Sequence, residues 1–306
     1  MPELPEVETV RAGLEPVLTG RSFVRVEQRR PDLRFPLPER FAERLTGRRV
    51  LRLDRRAKYI LVHLDQDEVL AVHLGMTGRL IVSGGANGSV GSASGHPPGG
   101  NVTLGQYAYN HGKDAKHDHL VFTMSGGAVV TYNDARRFGY MTLIPAQDLA
   151  QDAFFAGLGV EPLGPELTGA YLAVRAASRS VDLKAFLMDQ RIVAGLGNIY
   201  VCEALFRAGL DPFKPAARLA TRGGKPTPAA GRLAAEIKAV LTEAIRAGGS
   251  TLRDYKRADG TTGLFQNEFG AYGREDAPCL KPGCHGTVRR KTQGGRSTFY
   301  CPACQR

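Results

Sequence analysis

The chain has 306 residues, 42% hydrophobic and 23% charged, which suits a folded protein with cores for roughly two domains. Lysine and arginine number 41 against 30 acidic residues, so the net charge is +11 and the pI about 9.6, and the expected partner is a polyanion. No apolar run of transmembrane length, basic amphipathic anchor or signal peptide is present, which sets aside a membrane surface and secretion and leaves nucleic acid in the cytoplasm. After the opening Met1-Pro2-Glu3-Leu4-Pro5-Glu6-Val7-Glu8, the apolar positions Val7, Val10 and Leu14 predict a helix. Residues 23–27 and 50–53 alternate apolar and polar; 59–64, 69–74, 79–82, 120–124, 128–132 and 140–144 follow as further short strands. Short strands with tight connections predict an antiparallel β-sandwich with a flanking helix. Residues 83–116, rich in Gly, Ser, Asn and Pro, break that rhythm and read as a mobile loop insertion.

From Asp148 the pattern turns helical, with a glycine and proline hinge between Gly157 and Pro165. The longest stripe runs through Leu233, Ile237, Val240, Leu241 and Ile245; beyond Gly248 and Gly249 lie loops and a cysteine-bearing tail. The expected class is α+β, with a β-sandwich at 1–160, a helical domain at 161–270 and a cysteine-bearing hairpin at 271–306.

Four of the five cysteines fall in that tail, as Cys279-x4-Cys284 and Cys301-x2-Cys304, separated by sixteen residues. Paired thiols on two turns of a hairpin place four sulfurs at the corners of a tetrahedron, which suits one structural Zn2+ in a reducing compartment. His285 is a fallback ligand. The same hairpin carries Arg289, Arg290, Lys291 and Arg296, and no acid occurs from Ala277 onward, so it reads as a phosphate grip or as plain solvated charge. Gly195-Leu196-Gly197-Asn198-Ile199-Tyr200 joins two helices through a glycine turn, where backbone N–H groups and the Asn198 amide suit a phosphate, although any helical hairpin shares the feature.

At the other end, removal of Met1 would leave a secondary amine on Pro2 with Glu3 and Glu6 close by in sequence. Such an amine condenses with an aldehyde-like carbon to give an iminium, and its reference pKa of about 7.7–8.0 leaves a neutral fraction at pH 7. A plainer reading has Pro2 and Pro5 stiffen an arm, with the acids in the first turn of a helix.

The order PELPEVETV, RRAKY, HLGMTG, RRFG, GLGNIY and a terminal cysteine set resembles the bacterial formamidopyrimidine-DNA glycosylases from end to end, apart from the long loop and the four-residue gap in the first cysteine pair, where the family usually has two. The resemblance implies a bifunctional glycosylase and abasic-site lyase, monomeric, acting on double-stranded DNA with oxidised purines or abasic sites. It implies Pro2 as nucleophile, Glu3 as proton donor with Glu6 in support, Lys58 in β-elimination and Arg296 on the phosphates flanking the lesion. Met76, Arg136 and Phe138 match the side chains inserted into the duplex, although a buried Met and Phe is their plainer reading. The helix-two-turn-helix clamp would be built around Asn198, with Arg179 and Lys184 toward the same backbone; His73 and His117 match DNA contacts, and Arg253 stands where Lys is expected in the loop covering the damaged base. No organic cofactor is implied. Leu4 favours the purine branch over the endonuclease VIII branch, which prefers oxidised pyrimidines. The alternative from another class is a zinc-dependent DNA-binding protein without catalysis.

Overall fold

The structure, a computed structural model, describes residues 2–84, 102–104, 114–250 and 265–306, with 102–104 given by backbone alone. The chain divides into two compact units, Met1–Ala156 with Ala247–Leu264, and Gly157–Arg246 with Phe265–Arg306.

The first unit runs α1 (Leu4–Leu18), β1 (Phe23–Gln28), α2 (Phe41–Leu45), β2 (Val50–Arg56), β3 (Tyr59–Leu64), β4 (Glu68–His73), β5 (Arg79–Gly84), β6 (Val102–Leu104), β7 (Asp118–Met124), β8 (Ala128–Asn133) and β9 (Tyr140–Pro145). All pairings are antiparallel, in two sheets ordered β1-β7-β8-β5-β6 and β2-β3-β4-β9. Alternation gives each strand one apolar face, and the two faces meet. Phe23, Leu80, Phe122 and Val130 of one sheet, Ile60, Val62, Leu70, Val72 and Met141 of the other, and Leu14 and Leu18 of α1 line one void of about 20 Å³. The expected sandwich and flanking helix are therefore present.

Three details differ from the sequence reading. Helix α2 spans five residues, too short for a periodic signal, and is held by buried Phe41 and Leu45. Strand β6 lies inside the stretch expected to be loop and pairs with β5 from Leu80↔Leu104 to Val82↔Val102; most of the remaining 83–116 stretch lies outside the described residues. The first helix after Asp148 begins only at Gly169, because Gly157, Gly159, Pro162, Gly164 and Pro165 keep the preceding segment in turns.

The second unit contains α3 (Gly169–Ala176), α4 (Leu183–Met188), α5 (Asn198–Ala208), α6 (Pro228–Arg246), β10 (Arg289–Gln293) and β11 (Arg296–Tyr300). Side-chain caps start two of these helices: Thr168 accepts from Tyr171 N at 3.0 Å, and Asp182 from Ala185 N at 2.7 Å. Helix α5 ends at Gly209, whose φ of 71° supplies the left-handed stop. The hairpin packs on α5 through Phe206, Ala271, Cys279, Val288, Phe299 and Cys301. Beneath that contact Glu203, fully buried, accepts the N–H groups of Gly270, Ala271 and Tyr272 at 2.8, 2.9 and 2.7 Å.

Candidate active site and metal centre

Pro2 and Glu3 are buried at the head of α1. The first turn explains why they hold still. Glu3 is the N-cap, its carboxylate accepts the N–H of Glu6, and Glu6 Oε2 accepts the N–H of Glu3 at 2.8 Å, a reciprocal capping box. The other oxygen of Glu6 accepts Ser250 N at 2.8 Å and Ser250 Oγ at 3.0 Å. Both acids are thus fixed against backbone, as a precise reaction centre requires.

Lys58 closes the two-residue turn between β2 and β3 and is 6% exposed. Ala57 before it sits at φ 53°, a left-handed conformation that hairpin turns of two residues demand and that usually selects Gly. Arg55 ties this turn to α1, donating to Glu8 Oε2 at 3.0 Å and to Ala57 O at 2.9 Å. His73, paired with Tyr59 across the strands, stacks on Tyr140 at 5.0 Å. Burial, with the charges of Lys58 and Arg34, pushes His73 down to about 4. Its Nδ1 accepts the N–H of Gly75 at 3.1 Å, so a neutral His73 carries its proton on Nε2 and offers it as a donor. Arg34, which the sequence reading passed over, is exposed and anchored through its N–H to Gly139 O at 3.1 Å.

Met76 is half-buried, while Arg136 and Phe138 are exposed, Phe138 at 40%. The Arg136 guanidinium lies 4.5 Å from the Phe138 ring centroid, a cation–π pair at the surface. The plainer reading of Phe138 as core is therefore overturned. His117 is half-buried, its carbonyl accepting Asp134 N at 3.0 Å.

In the second unit Asn198 opens α5, and its Nδ2 donates to Ser297 O at 3.0 Å on the hairpin. Arg179 is exposed, 6.0 Å from the Phe186 ring. Lys184 departs from its expected place facing DNA backbone. It is 2% exposed, and Nζ donates to Thr298 Oγ1 at 2.7 Å and Ser297 O at 3.2 Å, tying α4 to β11. Arg296 is exposed at the hairpin tip, opposite Gln293 across Gly294 and Gly295, whose φ values of 54° and 73° make the tight turn. Arg253 lies outside the described residues.

The four tail cysteines converge with every pair of sulfurs within 4.8 Å, and His285, exposed, is not among them. Cys279 and Cys304 stand 3.8 Å apart, Cys284 and Cys301 3.7 Å. A tetrahedral ion with metal–sulfur bonds of about 2.3 Å needs sulfur separations of about 3.8 Å, so the set fits Zn2+. Backbone N–H groups of Lys281 and Gly286 point at Cys279 and Cys284 sulfurs, at 3.5 and 3.4 Å. Burial and the nearby Cys301 and Cys279 sulfurs push the Cys304 thiol far up, a repulsion that a cation relieves. The longer first gap is absorbed locally: Cys284 N donates to Lys281 O at 3.0 Å around Pro282 and Gly283, and Gly283 has φ 73°, the signature of a type II turn. A Cβ at Gly286 would fall 2.7 Å from Cys301 Sγ, so only glycine lets the chain pass there.

Comparison with known proteins matches residues 1–141 to the formamidopyrimidine-DNA glycosylase N-terminal domain and residues 158–256 to the formamidopyrimidine-DNA glycosylase H2TH domain. The chain belongs to the formamidopyrimidine-DNA glycosylase family. It is 56% identical over 306 residues to the formamidopyrimidine-DNA glycosylase of Methylobacterium nodulans, covering 100% of this chain and 99% of the relative. To that of Rhizobium meliloti it is 51% identical over 309 residues, covering both chains fully at 100%. Among solved structures, the MutM (Fpg) protein of Thermus thermophilus superposes with a TM-score of 0.74 at 35% identity, covering 99% and 98% of the two chains. The complex of Lactococcus lactis Fpg with DNA containing an abasic site gives 0.78 at 29% identity, covering 99% of each. A variant of the same protein bound to Fapy-dG-containing DNA gives 0.79 at 29% identity and 100% coverage of both.

Proposed function

We propose that the chain is a base-excision repair enzyme, a DNA glycosylase and abasic-site lyase that removes oxidised purines such as 8-oxoguanine and formamidopyrimidines from double-stranded DNA. The observation that carries this reading is Pro2 and Glu3, buried and held by the Glu6 capping box, in a chain whose relatives bear the glycosylase name along its whole length.

With Met1 removed, the Pro2 nitrogen attacks C1′ of an extruded nucleotide. The C1′–base bond breaks, the attacking nitrogen gives up its own proton, and the C1′–O4′ ring bond then opens, leaving an iminium between Pro2 and C1′; Glu3 delivers a proton to the departing base or to the ring oxygen as these bonds break. The cation acidifies C2′–H. Loss of that proton to solvent breaks the C3′–O bond, the Lys58 ammonium assisting by lying against the phosphate that departs; a second elimination breaks C5′–O and leaves phosphates at both ends of the gap. Glu6 keeps Glu3 in place. The extruded base leaves a hole that must be filled, and Met76, Arg136 and Phe138 are the side chains for it.

His73, as a neutral donor, together with His117, Arg179, Asn198 and Arg253, grips the phosphates, while Lys184 acts indirectly by holding the hairpin that presents Arg296. The finer division has residues 1–160 carry the chemistry, and 161–270 and 271–306 the grip. Cys279, Cys284, Cys301 and Cys304 would hold Zn2+, whose contribution is to fix the hairpin, since four thiolates leave no open coordination position. The protein works as a monomer in the bacterial cytoplasm; among the described residues no helix is long and apolar enough to cross a membrane.

Borohydride reduction tests the chemistry. The enzyme becomes covalently attached to duplex DNA carrying 8-oxoguanine, and Pro2→Gly weakens the trapping severely. Equal trapping by an N-terminally acetylated protein would overturn the amine's role, and tight binding with no trapping at all would leave a zinc-dependent DNA-binding protein.

A further inference from the structure

The two turns that carry Met76 on one side and Arg136 and Phe138 on the other meet at one buried carboxylate. Asp134 is 0% exposed. Its Oδ1 accepts the Thr77 hydroxyl, from the Met76 turn, and the N–H of Arg136 at 3.3 Å. Its Oδ2 accepts the N–H of Gly139 at 2.9 Å and the Tyr132 hydroxyl at 3.1 Å. The Thr77 oxygen in turn accepts the Arg136 N–H at 3.2 Å, so a continuous relay links Arg136, Thr77 and Asp134. The Asp134 backbone is equally committed: its N–H donates to His117 O at 3.0 Å, and its carbonyl accepts from His119 Nε2 at 2.9 Å and Arg137 N at 3.3 Å.

Around this node the turns touch backbone to backbone. A Cβ at Gly75 would lie 2.3 Å from Gly139 N, and one at Gly139 would lie 1.9 Å from the Tyr132 hydroxyl. No apolar side chain fits between them, so hydrogen bonds to Asp134 are the means by which the turns are registered. Arg137, at φ 53°, adds a left-handed residue within the second turn, a conformation that persists only where its neighbours hold it.

We infer that Asp134 is a positioning residue that joins the two turns into one preassembled wedge, so that Met76, Arg136 and Phe138 enter the duplex as a unit. This rests on the reading of those three side chains as the filling for the space left by the extruded nucleotide. A wedge ordered beforehand does not lose conformational freedom at each insertion, and its value appears only where paired bases resist opening.

The test compares two substrates with the full-length protein. One is duplex DNA with a single 8-oxoguanine and a neighbouring 2-aminopurine that reports unstacking; the other is a single-stranded oligonucleotide with an abasic site, trapped by borohydride. In Asp134→Asn one oxygen becomes an amide that faces donors. Its ratio of duplex excision rate to single-strand trapping rate falls at least tenfold, and the 2-aminopurine rise slows by a similar factor. Thr77→Val, which breaks only the relay, shifts the ratio the same way by about threefold, and it decides the matter should Asp134→Asn fail to fold. Equal losses on both substrates, or an unchanged ratio in the folded variants, would overturn the inference. Failure of the unmodified protein to excise 8-oxoguanine from duplex would instead strike the glycosylase reading, and the inference with it.

Discussion

Glu6 and Ser250 stand 244 residues apart in sequence, yet Glu6 Oε1 accepts both the N–H of Ser250 at 2.8 Å and its hydroxyl at 3.0 Å. The same side chain caps the helix behind Glu3, so a single carboxylate joins the end of a late segment to the residue beside the proposed nucleophile. A Cβ at neighbouring Gly249 would sit 3.1 Å from that oxygen, which shows how close the approach is.

Removing the carboxylate exposes what it satisfies. Glu6→Ala strands the N–H groups of Glu3 and Ser250 in a buried setting, each costing about 1–3 kcal/mol, and removes a cap worth about 1 kcal/mol. The expected loss is roughly 3–7 kcal/mol in denaturant unfolding, with borohydride trapping at least tenfold slower. Full trapping in a folded Glu6→Ala protein would show that Glu3 is placed by other means.

Acid should expose His73. Its folded pKa of about 4 lies below the ordinary 6.5, so protonation favours the unfolded chain. The stability due to its neutral form is fully present above about pH 6.5, declines as pH falls toward 4, and is spent below that. At about 1.4 kcal/mol per unit, the swing is roughly 3 kcal/mol. His73→Gln flattens unfolding free energy across that window; an unaltered pH profile would place the titration elsewhere.

Salt dependence separates the two residues at the β-turn face. Lys58 is charged and His73 neutral at pH 7.5, so Lys58→Gln lowers the slope of log K against log salt by about 0.9 for the one phosphate it neutralises. His73→Gln weakens binding with the slope unchanged. A drop in slope for His73→Gln would mean that it binds DNA as a cation.

Metal analysis gives one zinc per chain. Chelation abolishes duplex binding before it disturbs the circular dichroism of the first unit's sheets, because Cys279 and Cys301 belong to the small core with Phe206, Val288 and Phe299 rather than to the sandwich. Loss of binding and sheet signal together would show that the hairpin is not a separable module.

Much of this was readable from residue order. Residues 59–64 form an apolar run distinct enough that β3 matches the expected strand end to end; the other expected strands differ by one or two residues at their ends, except β2, which continues three residues further, to Arg56. The cysteine set was legible because thiol chemistry is demanding. Asp134 and Glu203 were not. An acid after Asn133 and before two arginines looks like solvated turn charge, and only the surrounding Gly75, Gly78 and Gly139 hint that backbones crowd it. Glu203 lies between Cys202 and Ala204 on an all-buried face of α5, and an acid in such company was itself the missed signal. Lys184 was misplaced because periodicity says which side of a helix is apolar, not which ammonium will be drawn inward by a threonine 114 positions later.

The bend at Pro282 and Gly283 has an evolutionary corollary. Extra length between two thiols is harmless when it bulges outward and returns the second thiol to its vertex, so selection acts on where the sulfurs end up and leaves their separation along the polypeptide free to drift. A search template written with a rigid gap would pass over such tails, whereas one written for the sulfur tetrahedron would find them.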